Sequence, residues 1–479
     1  MAGTSAGKGG AGGSTAGTGG VGGSTAGTAG TGGSSAGAAG AGGAKAGAGG
    51  TSAGTGGATA GAAGTGGTAA GQGGQAGAAG SGGAAPVPVL STWFNTDPTG
   101  PTVQMTTADD LADIVKNAAS GSTIVVAPGD YIAGVVMTDK TLVFKAKDPA
   151  NMPTFGLTSA SGHVFQLQGA ADLRLHQVKL KGGKSAVQGA AIGGSAPTIA
   201  LDGVTQSGSL NGVGGTFARI AVVGSTLSGN KESGLIATGA LADALDATVI
   251  DSQFDSNGGY GLALKWAHGN HLPSVSATGN GGVGIFLEAV SLVGIQKITS
   301  SNNGGGGVGV VASSLVFLGL AGDVGTVSGN TFYGIAIDKS APVTIRQQVV
   351  AFTKAKSDMT FGDGIIVQAS DTVVLDNVTS TSAARAAVSV FGGVIDDRGA
   401  HLCGLFSADE EQYGGLPGTI NIDPPASVDC SQCDTSMAAC PVGCTLCLAS
   451  PGCTQPTQCK AVSSMLTPPG PLPALVPPM

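Results

Sequence analysis

Lys265 and Glu288 hold equivalent places in this 479-residue chain: each stands four residues after a glycine, Gly261 and Gly284 respectively. A lysine and a carboxylate side by side could exchange a proton with a bound substrate, one as base and the other as acid. Tyr260, Trp266, His268 and His271 crowd around Lys265 in a chain with two tryptophans and five histidines. The aromatic faces of Tyr260 and Trp266 suit a sugar ring, and either histidine could share the proton transfer. Asp338 takes the same fourth place beyond Val311. Lys265, Glu288, His268 and His271 are thus the candidate catalytic groups, and Tyr260, Trp266 and Asp338 the candidate substrate-binding ones. The plainer account weighs more: an exposed cross-strand salt bridge worth a few tenths of a kcal/mol, beside solvated histidines.

The elements that position these residues follow from a repeat. Asparagine precedes glycine by four residues at Asn230/Gly234, Asn257/Gly261, Asn280/Gly284, Asn303/Gly307 and Asn330/Gly334, at intervals of 27, 23, 23 and 27. A fixed period in the twenties marks a solenoid. One residue after each glycine, and after Gly364, come Leu235, Leu262, Ile285, Val308, Ile335 and Ile365; three after come Ala237, Leu264, Leu287, Val310, Ile337 and Val367. Period two predicts strands with one face buried and the other in water. The glycines suit a turn needing positive φ, and the asparagines could bond to one another in a ladder. Second strands are predicted at 248–254, 273–277, 294–299 and 323–327, with earlier ones at 124–126, 135–137, 142–145, 164–167 and 173–178. Parallel crossovers are right-handed, so the predicted fold is all-β, a right-handed parallel β-helix of roughly ten or eleven coils between about 121 and 400. Its open end calls for a cap. Thr107 and Asp110 have capping-box spacing ahead of Leu111, Ile114, Val115 and Ala118, which predicts a helix over 107–119 that stops before Gly121.

The stretch 108–131, with LADIVKNAASGSTIVVAPGDY, resembles the opening of pectate-lyase-like β-helix proteins, in which a short amphipathic helix leads into a G-x-x-I-x-V-x-P-G-x-Y first coil. The resemblance covers about 105–400. It implies a fold rather than a reaction, because that superfamily holds lyases, hydrolases, isomerases, adhesins and non-catalytic proteins.

Specific polysaccharidase patterns are missing. The polygalacturonase set N-T-D, G-D-D, G-H-G and R-I-K does not occur, nor do the pectate lyase W-I-D-H and R-x-P-x-x-R motifs. His268–Gly269 and 361–364 (Phe-Gly-Asp-Gly) are fragments that read as turns. Asp396 and Asp397 are adjacent, so a strand would send them to opposite faces. Asp246, Asp251 and Asp255 are spaced too loosely for a calcium loop. Arg346, Arg385 and Arg398 qualify as lyase bases by residue type alone. The Gly304–Gly307 run lacks the Lys-Ser/Thr sequel of a phosphate-binding loop.

Residues 1–85 are a different material, with 36 glycines and only Lys8 and Lys45 charged. Nothing there can build a core, which predicts a flexible linker. Such linkers resemble those of myxobacterial cell-surface proteins. The first residues carry no basic or apolar signal region and no lipidatable cysteine, so an export signal is expected to have been removed or to precede residue 1. All eight cysteines (Cys403, Cys430, Cys433, Cys440, Cys444, Cys447, Cys453 and Cys459) fall in the last fifth of the chain. That pattern favours a disulfide-stapled module over 403–462, of unknown pairing, after a β-helix domain over 86–402. Zinc at the Cys430/Cys433 and Cys444/Cys447 pairs is the minority alternative. A proline-rich disordered tail fills 463–479. No run of eighteen apolar residues exists to span a membrane. Net charge of −8 argues against nucleic acid. The reading is an exported, tethered β-helix that acts as a non-catalytic cell-surface or extracellular binding or structural element, directed at a glycan and without a cofactor. The alternative is a polysaccharide lyase, with calcium, or a glycoside hydrolase acting near 260–288.

Overall fold

The structure, a computed structural model, describes residues 90–403 apart from 160, 243, 320–321, 356–360 and 399, together with 411–414 and 419–423. The linker over 1–85, the cysteine-rich stretch beyond Cys403 and the proline-rich tail lie outside the described residues.

Three parallel sheets wind into one solenoid. The first sheet holds Thr102–Met105, Ser122–Val126, Thr141–Ala146, Asp172–His176, Thr198–Asp202, Arg219–Val223 and Asp246–Ile250. It continues where 291–295 pairs with Ser314–Leu318 and then Val343–Arg346. The second sheet is built of short strands from Asp130–Ile132 to His401–Cys403. The third runs from Val135–Thr138 to Glu411–Gly414 through twelve stacked strands, among them Leu262–Lys265, Val283–Glu288, Gly306–Val311 and Tyr333–Asp338. Eleven of these twelve lie before residue 400, as the repeat predicts.

The inward ranks are fully buried: Leu235, Leu262, Ile285, Val308, Ile335 and Ile365, with Ala237, Leu264, Leu287, Val310, Ile337 and Val367 beside them, are each 0 % exposed. At about 1.5–3 kcal/mol for each large aliphatic side chain, these stacks are the leading stabilising term. The helix Leu111–Asn117 closes one end by burying Leu111 and Val115 on the same core. Its N-cap is Asp110, whose carboxylate accepts from the backbone N–H of Ala112 at 2.7 Å, so the cap lies three residues later than the Thr107 box predicted.

The asparagine ladder forms. Nδ2 of Asn230, Asn257, Asn280 and Asn303 each donates to Oδ1 of the next asparagine at 2.8–2.9 Å, and the five side chains are at most 3 % exposed. Gln206 extends it one coil upstream, bonding both ways to Asn230 at 2.8 Å. The glycine reading needs correction. Gly234, Gly261, Gly284, Gly307 and Gly334 have ordinary φ; the left-handed residues stand just before each asparagine, at Gly229, Ser256, Gly279, Asn302 and Gly329. The repeat glycine is required by proximity instead. A Cβ on Gly261 would lie 2.8 Å from Asn280 Nδ2 and 2.6 Å from the Gly284 carbonyl. Serines form a further ladder at the corner after the third sheet: the N–H groups of Val290, Ser313 and Ser340 donate to Oγ of Ser313, Ser340 and Ser370 at 3.0–3.1 Å.

Other expectations shift in detail. The run 248–254 is two strands, Asp246–Ile250 and Ser252–Asp255, broken at Asp251 with φ 45°. Asp363 begins the long strand Asp363–Asp376 and is fully buried, so the 361–364 fragment is not simply a turn. Asp396 and Asp397 do point apart, with Asp397 buried.

Candidate functional site

The outer face of the third sheet is not the wet face that alternation predicts. Ile236, Ala263, Phe286, Ala336 and Ile366 point outward yet are buried, joined by Tyr333 and Phe391 in a second apolar cluster with Tyr260, Val311, Phe332 and Phe361 packed against it. Glycine makes the room. Gly309 sits in register between Phe286 and Ala336, and a Cβ there would lie 2.8 Å from the Phe286 ring and 3.3 Å from the Tyr333 hydroxyl. Phe286 and Tyr333 therefore lean into the same notch from opposite coils. Tyr260 packs on Phe286 with ring centroids 5.3 Å apart. Tyr333 is 2 % exposed and its hydroxyl has no hydrogen-bond partner. Burial drives its pKa far up, and Tyr260 nearby adds to this.

At the far end of the same strands stand the charged candidates. Lys265 and Glu288 are register partners, and Lys265 Nζ meets Glu288 Oε1 at 2.5 Å. Their side chains are only 19 % and 11 % exposed, so the pair is largely withdrawn from water rather than solvated as expected. Trp266 follows at a corner with φ 59°, where Ala289, Ala312, Lys339 and Ala369 repeat the left-handed turn in later coils. Lys265 Nζ lies 5.4 Å from the Trp266 ring centroid, a cation–π contact. Tyr260 belongs to the same group: burial first, and the Glu288 charge second, hold its phenol above the ordinary range. Tyr260 and Trp266 are both half-buried and stand beyond opposite ends of the strand Leu262–Lys265.

Asp338 occupies the predicted column, two coils from Glu288 with Val311 between. It is 4 % exposed, and burial raises its pKa against the opposing charge of Lys339. The histidines go elsewhere. His268 turns its Nδ1 to Ser291 Oγ at 2.7 Å, and His271 opens the next strand with a buried Nε2 that lacks a partner. Among the described residues no group of three or more His, Cys, Asp or Glu is placed to hold a metal ion, and no helix is long and apolar enough to cross a membrane.

Two arrangements escaped the sequence reading. Asp363 and Arg385 form a buried pair at 3.0 Å, with Ser389 Oγ donating to the same carboxylate oxygen at 2.6 Å. On the first sheet, Arg174, His176, Arg219 and Asp246 meet residues 91–97, which lie across them, and Asp202 holds the other nitrogen of His176. The signal for both was absent, since neither falls in the asparagine–glycine repeat.

Solved structures of similar fold include the A-module of a mannuronan C-5 epimerase from Azotobacter vinelandii (14 % identity, TM-score 0.43, 65 % of this chain and 89 % of that one). They include an alginate lyase from Paenibacillus sp. FPU-7 (12 %, 0.33, 67 % and 99 %). A GH87 α-1,3-glucanase catalytic unit from Streptomyces thermodiastaticus is also similar (14 %, 0.45, 71 % and 68 %). No curated protein matches the chain. Residues 204–350 match the family described as right handed beta helix region, and parallel coils of the same architecture continue on both sides of the match, so the described residues form a right-handed parallel β-helix.

Proposed function

We propose that this protein is an exported, surface-tethered β-helix that holds a polysaccharide on the outer face of its third sheet without turning it over. The observation that carries this reading is the closed Lys265–Glu288 pair between two half-exposed aromatic rings. At 2.5 Å the two groups are engaged with each other rather than presented singly, which suits a structural pair that offers its remaining donors and acceptors to a ligand. The flanking rings of Tyr260 and Trp266 offer apolar faces for pyranose rings, and the pair offers donors and acceptors for hydroxyls. The Gly/Ala/Ser/Thr-rich linker over 1–85 and the cysteines beyond residue 402 support the surface location. Affinity electrophoresis of the full chain in gels with neutral and uronic-acid polysaccharides tests it. Retardation by at least one polymer, lost in the Tyr260→Ala/Trp266→Ala double variant, is the expected result. Unchanged retardation in that variant refutes the site.

One observation favours a second reading, inverting glycoside hydrolysis. Glu288 and Asp338 share one outward column two coils apart, the order of separation at which an inverting pair leaves room for a water. Asp338, with its pKa raised by burial, would be the acid and Glu288 the base. Val311 lies between them and Lys265 occupies Glu288, which is why binding is preferred.

A further inference from the structure

A short segment ahead of the first coil lies across the outside of the first sheet. Trp93 sits over two cations, with its ring centroid 5.5 Å from Arg174 Cζ and 6.0 Å from Arg219 Cζ. Ser91 Oγ donates to Asp246 at 3.0 Å, and Arg174 donates to the Thr96 carbonyl. These contacts take in strands at 172–176, 219–223 and 246–250, so seven residues bridge four successive coils. Under the segment is a cavity of about 290 Å³, roofed by Phe94 and Asn95 and floored by Ala200, Ala221 and Val223.

His176 pins the end of this segment. Its Nε2 faces Asp97 of the segment at 3.1 Å, and its Nδ1 faces Asp202 of the next coil at 3.1 Å. A histidine between two carboxylates can donate to both only as the imidazolium; the neutral ring has one N–H and turns a lone pair on the other carboxylate. We propose that residues 91–97 are a strap over this cavity, latched by protonated His176 and released when that proton leaves.

The surroundings fit a latch that closes in acid. Around His176 stand Asp97 on the strap, Asp202 on the following strand, Lys145 in register on the preceding one, and Asp172 and Arg174 on its own. Arg174 is committed to Asp172 at 3.2 Å and reaches Asp97 at 3.8 Å, so loss of the imidazolium leaves Asp97 with a single, longer cationic contact. The hydrogen bond to Asp202, and then the charges of Asp97 and Asp202, raise the His176 pKa against the opposing effect of burial. A raised histidine pKa means that the latch is fully engaged below about 6.5 and is lost as pH rises through the folded value.

The sequence has two tryptophans, so in a Trp266→Phe background of the full chain Trp93 is the only tryptophan and is excited selectively, apart from the four tyrosines, at the red edge of the absorption band. Its emission and acrylamide quenching are followed between about pH 5 and 9. A single step toward higher exposure is expected, with a midpoint above about 6.5. His176→Gln should abolish the step and Asp202→Asn should move it to lower pH. Should His176→Gln lose its far-ultraviolet sheet signal, Asp97→Asn, which alters only the strap, must abolish the step instead. A Trp93 signal flat with pH, or a step that survives both variants, overturns the proposal.

Discussion

Asn280→Ala probes the ladder at its centre. The Asn280 side chain makes four hydrogen bonds: Nδ2 donates to Asn303 Oδ1 and to the Phe254 carbonyl, each at 2.9 Å, while Oδ1 accepts from Asn257 N at 3.0 Å and Asn257 Nδ2 at 2.9 Å. It is 1 % exposed, so water cannot replace these partners without opening the coil. At about 1 kcal/mol net for each bond, the variant should lose ~4 kcal/mol. Asn257 N–H becomes an orphaned buried donor, which keeps the figure from falling much below that sum. Thr326→Ala, on the exposed face of the second sheet, is the control and should stay within about 0.5 kcal/mol. Urea unfolding followed by circular dichroism measures the loss. Because each coil touches only its neighbours, amide exchange should quicken over 230–303 and stay unchanged over 122–146. A loss under about 1 kcal/mol, or faster exchange spread evenly over all coils, would refute the idea that the ladder holds the stack locally.

Three further outcomes follow from the same geometry. Gly284→Ala should cost about 1–3 kcal/mol in urea unfolding, because the added Cβ would fall 2.6 Å from Asn303 Nδ2; a neutral result would show that the close approach does not require glycine. Lys265→Ala should cost about 1–2 kcal/mol, between the values of exposed and buried pairs, since Glu288 is left mostly buried; a change below about 0.3 kcal/mol would mean that the pair is solvated. Arg385→Met should cost about 3–5 kcal/mol by stranding the fully buried Asp363, and adding Asp363→Leu should recover part of it. No recovery in the double variant would show that the pair is not coupled.

The inward half of the fold was legible because its rule is local. Leu235, Leu262, Ile285 and Val308 repeat at fixed distance from an asparagine–glycine pair, and a stacked coil forces equivalent residues into one rank. The Lys265–Glu288 register was readable for the same reason. The outward half was not. Alternation predicts a wet face, and only the coordinates place Phe286 and Tyr333 over the gap at Gly309, where burial depends on what a neighbour lacks. The glycines were assigned a wrong cause because sequence does not separate a residue that needs positive φ from one that must leave room. His268 and His271 neighbour Trp266 in the chain, but the left-handed corner at Trp266 carries them off the third sheet. The strap contacts join residues 70 or more positions apart outside any repeat, and nothing local announces them.

The central claim, binding without turnover, is tested most directly by product release. The full chain is incubated with each polysaccharide that retards it, and new reducing ends and the ultraviolet absorbance of unsaturated sugars are followed together. The account predicts retention with neither signal rising above a no-protein control. Reducing ends that accumulate and vanish in Glu288→Gln, or unsaturated product that vanishes in Lys265→Ala, would contradict it and make the outer face of the third sheet an active site.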